Sequence, residues 1–153
     1  MPGHLSKITT AAPDLIARAE LRTDTPGPAL IEFTREAADF LEQCTAGEGA
    51  LTAFVRHTSA SLTIQENADP DVQRDLLTAL QRLAPEDGGW VHDTEGPDDM
   101  PAHVKAMLTG VFLNIPVEAG RMLLGTWQGL YLVEHRRAPH TRAITLQFIG
   151  SRA

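Results

Sequence analysis

The chain of 153 residues has one cysteine, Cys44, so no internal disulfide can form and a reducing compartment is expected. It has no apolar run approaching the ~20 residues that a membrane-spanning helix needs. Met1-Pro2-Gly3-His4 lacks the basic stretch and apolar core of an export signal, which adds to the expectation of a cytoplasmic protein with no membrane partner. Basic residues are scarce as well: 13 Lys and Arg stand against 20 Asp and Glu, a formal charge of −7. Phosphate-backbone binding draws on clustered Lys and Arg, so nucleic acid is excluded as a general partner, while a local basic pocket is not. What is present suits a folded globule, with 42% hydrophobic and 22% charged residues. At this length one domain buries roughly 70% of its unfolded surface, and no internal repeat is visible.

The first 13 residues are weakly patterned and read as an N-terminal extension, with residues 14–153 forming a single domain. Asp14 to Thr25 mixes Ile16, Ala17 and Leu21 with Arg18, Glu20 and Arg22 as a strand would. Pro26-Gly27-Pro28 is a turn, and Ala29 to Phe33 a second strand. Thr34 is expected to cap a helix carrying Ala37, Phe40, Leu41 and Cys44 on one stripe, with Gly47 and Gly49 ending it. Leu51 to His57 aligns Leu51, Ala53, Val55 and His57 on one face; Ala60 to Glu66 does the same for Ala60, Leu62, Ile64 and Glu66. Asp69-Pro70 opens a helix whose buried stripe is expected to be Val72, Leu76, Leu80 and Leu83. A polar loop over residues 90–100 precedes a short helix from about Asp98 to Leu108. Val111 to Val117, Arg121 to Leu124, Leu130 to His135 and Thr141 to Ile149 read as strands whose short connections favour antiparallel neighbours. The fold class is α+β and sheet-rich, with about eight strands and three helices.

Five of six histidines fall at or beside element ends: His57, His92, His103, His135 and His140. Neutral imidazole is the commonest metal ligand and the usual acid or base near neutral pH. His57 at a strand end, His92 in the polar loop and His103 in the first turns of a helix could meet around one cation if the loop folds back. The plain alternative is three unrelated histidines, because this spacing matches neither a zinc finger nor His-Glu-x-x-His. Asp93, Glu66 and Glu134 are candidate carboxylate partners, or strand ends that have reached solvent. Thr58, Ser59 and Ser61 offer hydroxyls to an anion, and Lys105, Arg136, Arg137 and Arg142 offer charge. Asp71, Asp98 and Asp99 already place negative charge on the helix N-termini, lowering their value for phosphate. Gly125-Thr126-Trp127-Gln128-Gly129 suits a loop that brings backbone near a ligand with Trp127 free to stack, or a plain hairpin. Cys44 follows its helix's apolar stripe and reads as a core thiol.

His57-Thr58-Ser59-Ala60-Ser61-Leu62-Thr63, Glu66-Asn67-Ala68-Asp69-Pro70, the run from His92 to Lys105, and Gly125-Thr126-Trp127-Gln128-Gly129 through Glu134-His135-Arg136 occur in one order. In these motifs, from about Asp14 to Gly150, the sequence resembles the YjbQ-like family, also called the secondary thiamine-phosphate synthase family. The resemblance implies an α+β domain of packed antiparallel sheets that assembles as a homotrimer. It implies a metal-dependent condensation of a pyrimidine diphosphate with a thiazole phosphate, releasing pyrophosphate. It marks His57, His92 and His103 as metal ligands, and His135 as typical of one branch. On that footing Glu66, Lys105 and Glu134 are the expected catalytic residues, and Thr58, Ser59, Asn67, Trp127, Gln128, His135 and Arg136 the expected contacts to a small phosphorylated substrate. Three imidazoles suit zinc, whereas the condensation itself would call for magnesium and oxygen ligands. That mismatch keeps two alternatives open: a metal-assisted hydrolase, and a protein that binds a metal or phosphometabolite without turning it over.

Overall fold

The computed structural model describes residues 2–153. Its elements in chain order are β1 (Leu15–Thr25), β2 (Ala29–Glu32), α1 (Thr34–Gln43), β3 (Ala46–Val55), β4 (Ala60–Glu66), α2 (Pro70–Leu83), α3 (Asp99–Thr109), β5 (Phe112–Glu118), β6 (Arg121–Met122), β7 (Gln128–Glu134) and β8 (His140–Arg152). The α+β class holds. Strands order as β1-β8-β3-β5-β6 in one sheet and β2-β7-β4 in the other, with every pairing antiparallel. Residues 2–13 contain neither helix nor strand.

The period of two decides which side chains meet between the sheets. Leu51, Ala53 and Val55 of β3, Ile144, Leu146 and Phe148 of β8, and Ile115 and Val117 of β5 face Ala60, Leu62, Leu130 and Leu132 of the smaller sheet. Phe33, Ala37 and Leu41 bring α1 into the same core. Burying one such Leu, Ile or Phe contributes about 1.5–3 kcal/mol, so this cluster dominates stability. In β7 all residues after Gln128 are buried. Its second face, with Tyr131 and Val133, is covered by helices: α3 packs on β4 and α2 on β2.

Three local expectations fail for identifiable reasons. Thr34 does not cap α1; its hydroxyl donates to Glu32 Oε2 at 2.7 Å and accepts from Leu130 N–H at 2.9 Å, tying the helix start to β7. Gly47 and Gly49 lie inside β3 rather than ending α1, at a bulge in the pairing with β8. A Cβ on Gly47 would stand 2.7 Å from the Arg152 carbonyl oxygen, and one on Gly49 would overlap the backbone of Ile149 and Gly150. Close strand approach, not helix termination, requires these glycines. The expected buried stripe of α2 is only half-buried at Val72, Leu76 and Leu80, and Leu83 is 66% exposed, because α2 is covered from the sheet side alone.

Candidate functional site

Two imidazoles converge on one carboxylate at the start of α3. His92 Nε2 lies 2.6 Å, and His103 Nε2 3.1 Å, from the same Oδ2 of Asp99, with the ring centroids 5.6 Å apart. Asp99 and His103 are one helical turn apart, which stacks their side chains on one face of α3. The polar loop supplies His92. A turn at Gly96, whose φ of 102° is in the left-handed region, helps fold that loop back toward β7.

Arg136, just past β7, holds the carboxylates in place. Its guanidinium donates from Nε to Asp98 Oδ2 at 3.0 Å, from Nη1 to Asp99 Oδ1 at 2.6 Å and from Nη2 to the Glu95 carbonyl at 2.9 Å. Asp99 is almost fully buried. Burial alone would raise its pKa, but the His92 hydrogen bond, the Arg136 charge and His103 together hold it below the usual carboxylate value. With Asp98 and Asp99 charged and Arg136 opposing them, the pocket carries one net negative charge before either imidazole is counted.

The tautomer of His103 follows from its partners. Nδ1 is 2.9 Å from the Thr58 carbonyl oxygen, which can only accept, so Nδ1 carries hydrogen. In the neutral ring Nε2 then presents a lone pair to Asp99 Oδ2, an arrangement that calls for a proton or a metal cation between them. The two imidazole nitrogens and Asp99 oxygen all lie within 4.8 Å of one another. Two imidazoles and a carboxylate fit zinc and related transition metals. His92 and His103 side chains are 41% and 34% exposed, leaving an open side for a substrate oxygen or water.

His57 does not join this group within one chain. Its Nε2 accepts the Ala143 N–H at 3.0 Å, so in the neutral ring that nitrogen is committed to β8 and Nδ1 carries the proton. Burial, then the Arg142 charge, lowers its pKa and keeps the ring neutral. Asp99 takes the place expected of His57. Its signal was the i,i+4 spacing to His103, hidden because an aspartate in a first helical turn has an ordinary role at the helix dipole.

Glu134, expected to be catalytic, is saturated. Its buried carboxylate accepts from Thr25 Oγ1 at 2.6 Å, the His135 and Arg136 backbone N–H groups at 2.9 and 3.1 Å, and Arg142 Nε and Nη2 at 2.8 and 2.6 Å. Burial would raise its pKa, but Arg142, Thr25 and the Arg136 N–H hold it low. Arg142 also donates to the Ser59 carbonyl and hydroxyl at 3.2 and 3.0 Å. The group is a clasp joining β1, β7, β8 and the β3–β4 turn, with no lone pair left for proton transfer.

The remaining expected contacts divide between the two ends of the smaller sheet. Glu66 pairs with Gln128 at one end and Ala60 with Glu134 at the other, roughly 20 Å apart at about 3.4 Å per residue. Glu66, Asn67, Trp127 and Gln128 all sit at the end away from the histidines. There Asn67 Nδ2 donates to Glu32 Oε2 at 3.2 Å, Gln128 Oε1 accepts from the Gly125 N–H at 2.8 Å, and Trp127 is 62% exposed. One chain alone therefore does not gather them with His92 and His103. Lys105 and His135 are close to the cluster but buried at 7% and 3% exposure, turned into a separate cavity beneath α2.

Among the described residues no helix is long and apolar enough to cross a membrane. Residues 18–151 match the family model for UPF0047 proteins, YjbQ-like. UPF0047 protein sll1880 of Synechocystis is 48% identical over 82% of this chain and 86% of its own. The conserved hypothetical protein TT1486 from Thermus thermophilus superposes with a TM-score of 0.76 at 36% identity, covering 85% of this chain and 98% of the other. A YbjQ-like protein of unknown function from Sulfolobus solfataricus gives a TM-score of 0.80 at 23% identity, covering 89% and 99%, a likeness of fold. The two antiparallel sheets, the ordered motifs and these matches make the chain a member of the UPF0047 YjbQ-like family.

Proposed function

We propose that the protein binds a divalent transition-metal cation, zinc or a close relative, through His92, Asp99 and His103, and takes a small phosphorylated molecule on the open side of that site. The observation that supports this most directly is the His103 ring, whose proton is claimed by the Thr58 carbonyl while its lone pair faces an aspartate oxygen. A cation held there would supply Lewis-acid polarisation of a phosphoryl oxygen. Arg136 keeps Asp99 ionised and oriented, and Thr58 fixes which nitrogen of His103 is available. A divalent cation bound by Asp99 and the two imidazoles makes the net charge of the pocket positive, so phosphate binding here is strengthened by metal.

Two imidazoles and one carboxylate match magnesium poorly. Hydrolysis of a phosphate ester, or binding without turnover, therefore fits better than the thiamine-phosphate condensation, which also lacks the nearby Trp127 and Glu66 it would use within one chain. A cytoplasmic location and a homotrimer remain part of the reading; a trimer would sediment at three times the 16.6 kDa chain mass. The test is equilibrium zinc binding by competition with a chromogenic chelator, followed by assays with phosphorylated heterocycles and the two thiamine precursors. Stoichiometric zinc that is lost in Asp99→Asn supports the site; thiamine phosphate formed with magnesium alone would overturn the choice of metal.

A further inference from the structure

A cavity of about 150 Å³ lies beneath α2 on the opposite side of α3 from His103, with Lys105 and His135 in its wall. Pro28, Leu77 and Leu80 line the rest of it with apolar surface. Two features of its polar wall are unexplained by the fold alone.

The first is the Lys105 ammonium. The Lys105 residue as a whole is 7% exposed, yet Gln81 Oε1 at 3.3 Å is the one side-chain acceptor of its ammonium among the described residues. An ammonium has three donors, so two are unspent. An unpaired buried charge is costly, and a neutral amide at that distance does not offset it. The carboxylates that act on Lys105 through space, Glu86 and Asp98, are already paired with Arg137 and Arg136 at 3.1 and 3.0 Å. Glu134 also borders the cavity, but its carboxylate is neutralised by Arg142.

The second is His135. Its Nε2 is 2.8 Å from Ser61 Oγ, and Thr109 Oγ1 is hydrogen-bonded to that same oxygen. Thr109 has one hydroxyl hydrogen, also within reach of the Lys105 carbonyl at 2.8 Å, so this chain of hydroxyls can run either way. When Thr109 donates to Ser61 and Ser61 to Nε2, the neutral ring carries its proton on Nδ1, the tautomer that an anion in the cavity selects. Nδ1 has no hydrogen-bond partner among the described residues, whereas every fully buried side-chain nitrogen and oxygen has one. It therefore opens onto the cavity. Burial and the neighbouring Lys105 charge hold the His135 pKa down at about 4, so the ring donates without adding a second positive charge.

We infer that this cavity is a binding site for a small oxyanion, a carboxylate or phosphate group, held by the Lys105 ammonium and the His135 Nδ1–H. The space is about that of five waters, at roughly 30 Å³ each, and well below the ~300 Å³ at which drug-sized pockets begin. It admits a free anion or the end of a small metabolite, not a nucleotide. The inference does not rest on the cation site: none of His92, Asp99 and His103 lines this cavity.

The experiment is calorimetric titration of the full chain with inorganic phosphate, and separately with acetate, in the presence of a metal chelator. The wild type should bind at least one of the two saturably, and Lys105→Met should weaken that binding about tenfold or more, equivalent to 1.4 kcal/mol. Absence of saturable binding of both anions, or equal affinity in a folded Lys105→Met protein, overturns the inference. If Lys105→Met does not fold, nitrogen NMR of the wild-type His135 ring decides instead. A saturating shift of Nδ1 on anion addition supports the site, and bound anion with unchanged ring signals contradicts it. A further anion site that appears only when zinc replaces the chelator belongs to the cation reading and is scored apart.

Discussion

His103 and Asp99 stand one turn apart on α3 with Nε2 of the first 3.1 Å from Oδ2 of the second, the oxygen that His92 reaches at 2.6 Å. One carboxylate oxygen serves two imidazoles while its twin is fixed by Arg136 at 2.6 Å. The order of importance for cation binding follows: Asp99 and the histidines as ligands, Arg136 as the residue that positions them.

Arg136→Met should accordingly leave a folded protein with zinc affinity reduced roughly 10–100-fold, the usual effect of losing a ligand's hydrogen-bonding partner. Chelator competition measures it. Unchanged affinity would mean that Asp99 needs no help to point at its histidines.

The Glu134–Arg142 clasp makes a stability prediction instead of a catalytic one. Glu134 is fully buried and Arg142 only 4% exposed, so removing either partner strands a charge. Glu134→Gln or Arg142→Met should each lose about 3–5 kcal/mol in urea unfolding, while the double variant loses less than their sum. Single losses below about 1 kcal/mol would contradict the clasp.

His135 gives a pH dependence of known sign. Unfolded, it takes a proton below about 6.5; folded, only below about 4. Between those values the unfolded state binds more protons, so stability falls as pH is lowered, by roughly 3 kcal/mol at most. Asp98, Asp99 and Glu134, all held below their ordinary values, add a further loss as pH falls through the carboxylate range. Urea unfolding at a series of pH values should show the upper part of this slope flattened in His135→Asn. A slope unchanged by that substitution would assign it to other groups.

Gly49→Ala forces a methyl group into the backbone of Ile149 and Gly150 on β8. The expected cost is about 1–3 kcal/mol, which lowers Tm by several degrees at ~2–4 °C per kcal/mol for a domain of this size. An unchanged Tm would show that the bulge relaxes freely.

Much of the fold was legible because it depends on local alternation. Leu51, Ala53 and Val55, and Ala60 and Leu62, read as inward-facing strand residues, and those are the ones that meet between the sheets. Gly47 and Gly49 misled because helix ends and strand bulges ask for the same residue, and only the approach of β8, a hundred residues later, tells them apart. The stripe of α2 misled in a similar way: spacing reports which side chains share a face, not how much protein covers them. At the site, His92 and His103 were legible as residue types that could converge. Asp99 was not, since its carboxylate acquires its role from Arg136 and His92, brought in by the return of a distant strand and a loop. Glu134 shows the converse. A carboxylate ending an apolar strand face looks reactive until the five donors around it are counted.

Crystals grown with zinc and measured on both sides of its absorption edge test the central claim most directly. The account predicts an anomalous peak about 2.0–2.2 Å from His92 Nε2, His103 Nε2 and an oxygen of Asp99. An empty site with those three side chains still bonded to one another, or a peak held by other residues alone, would contradict it.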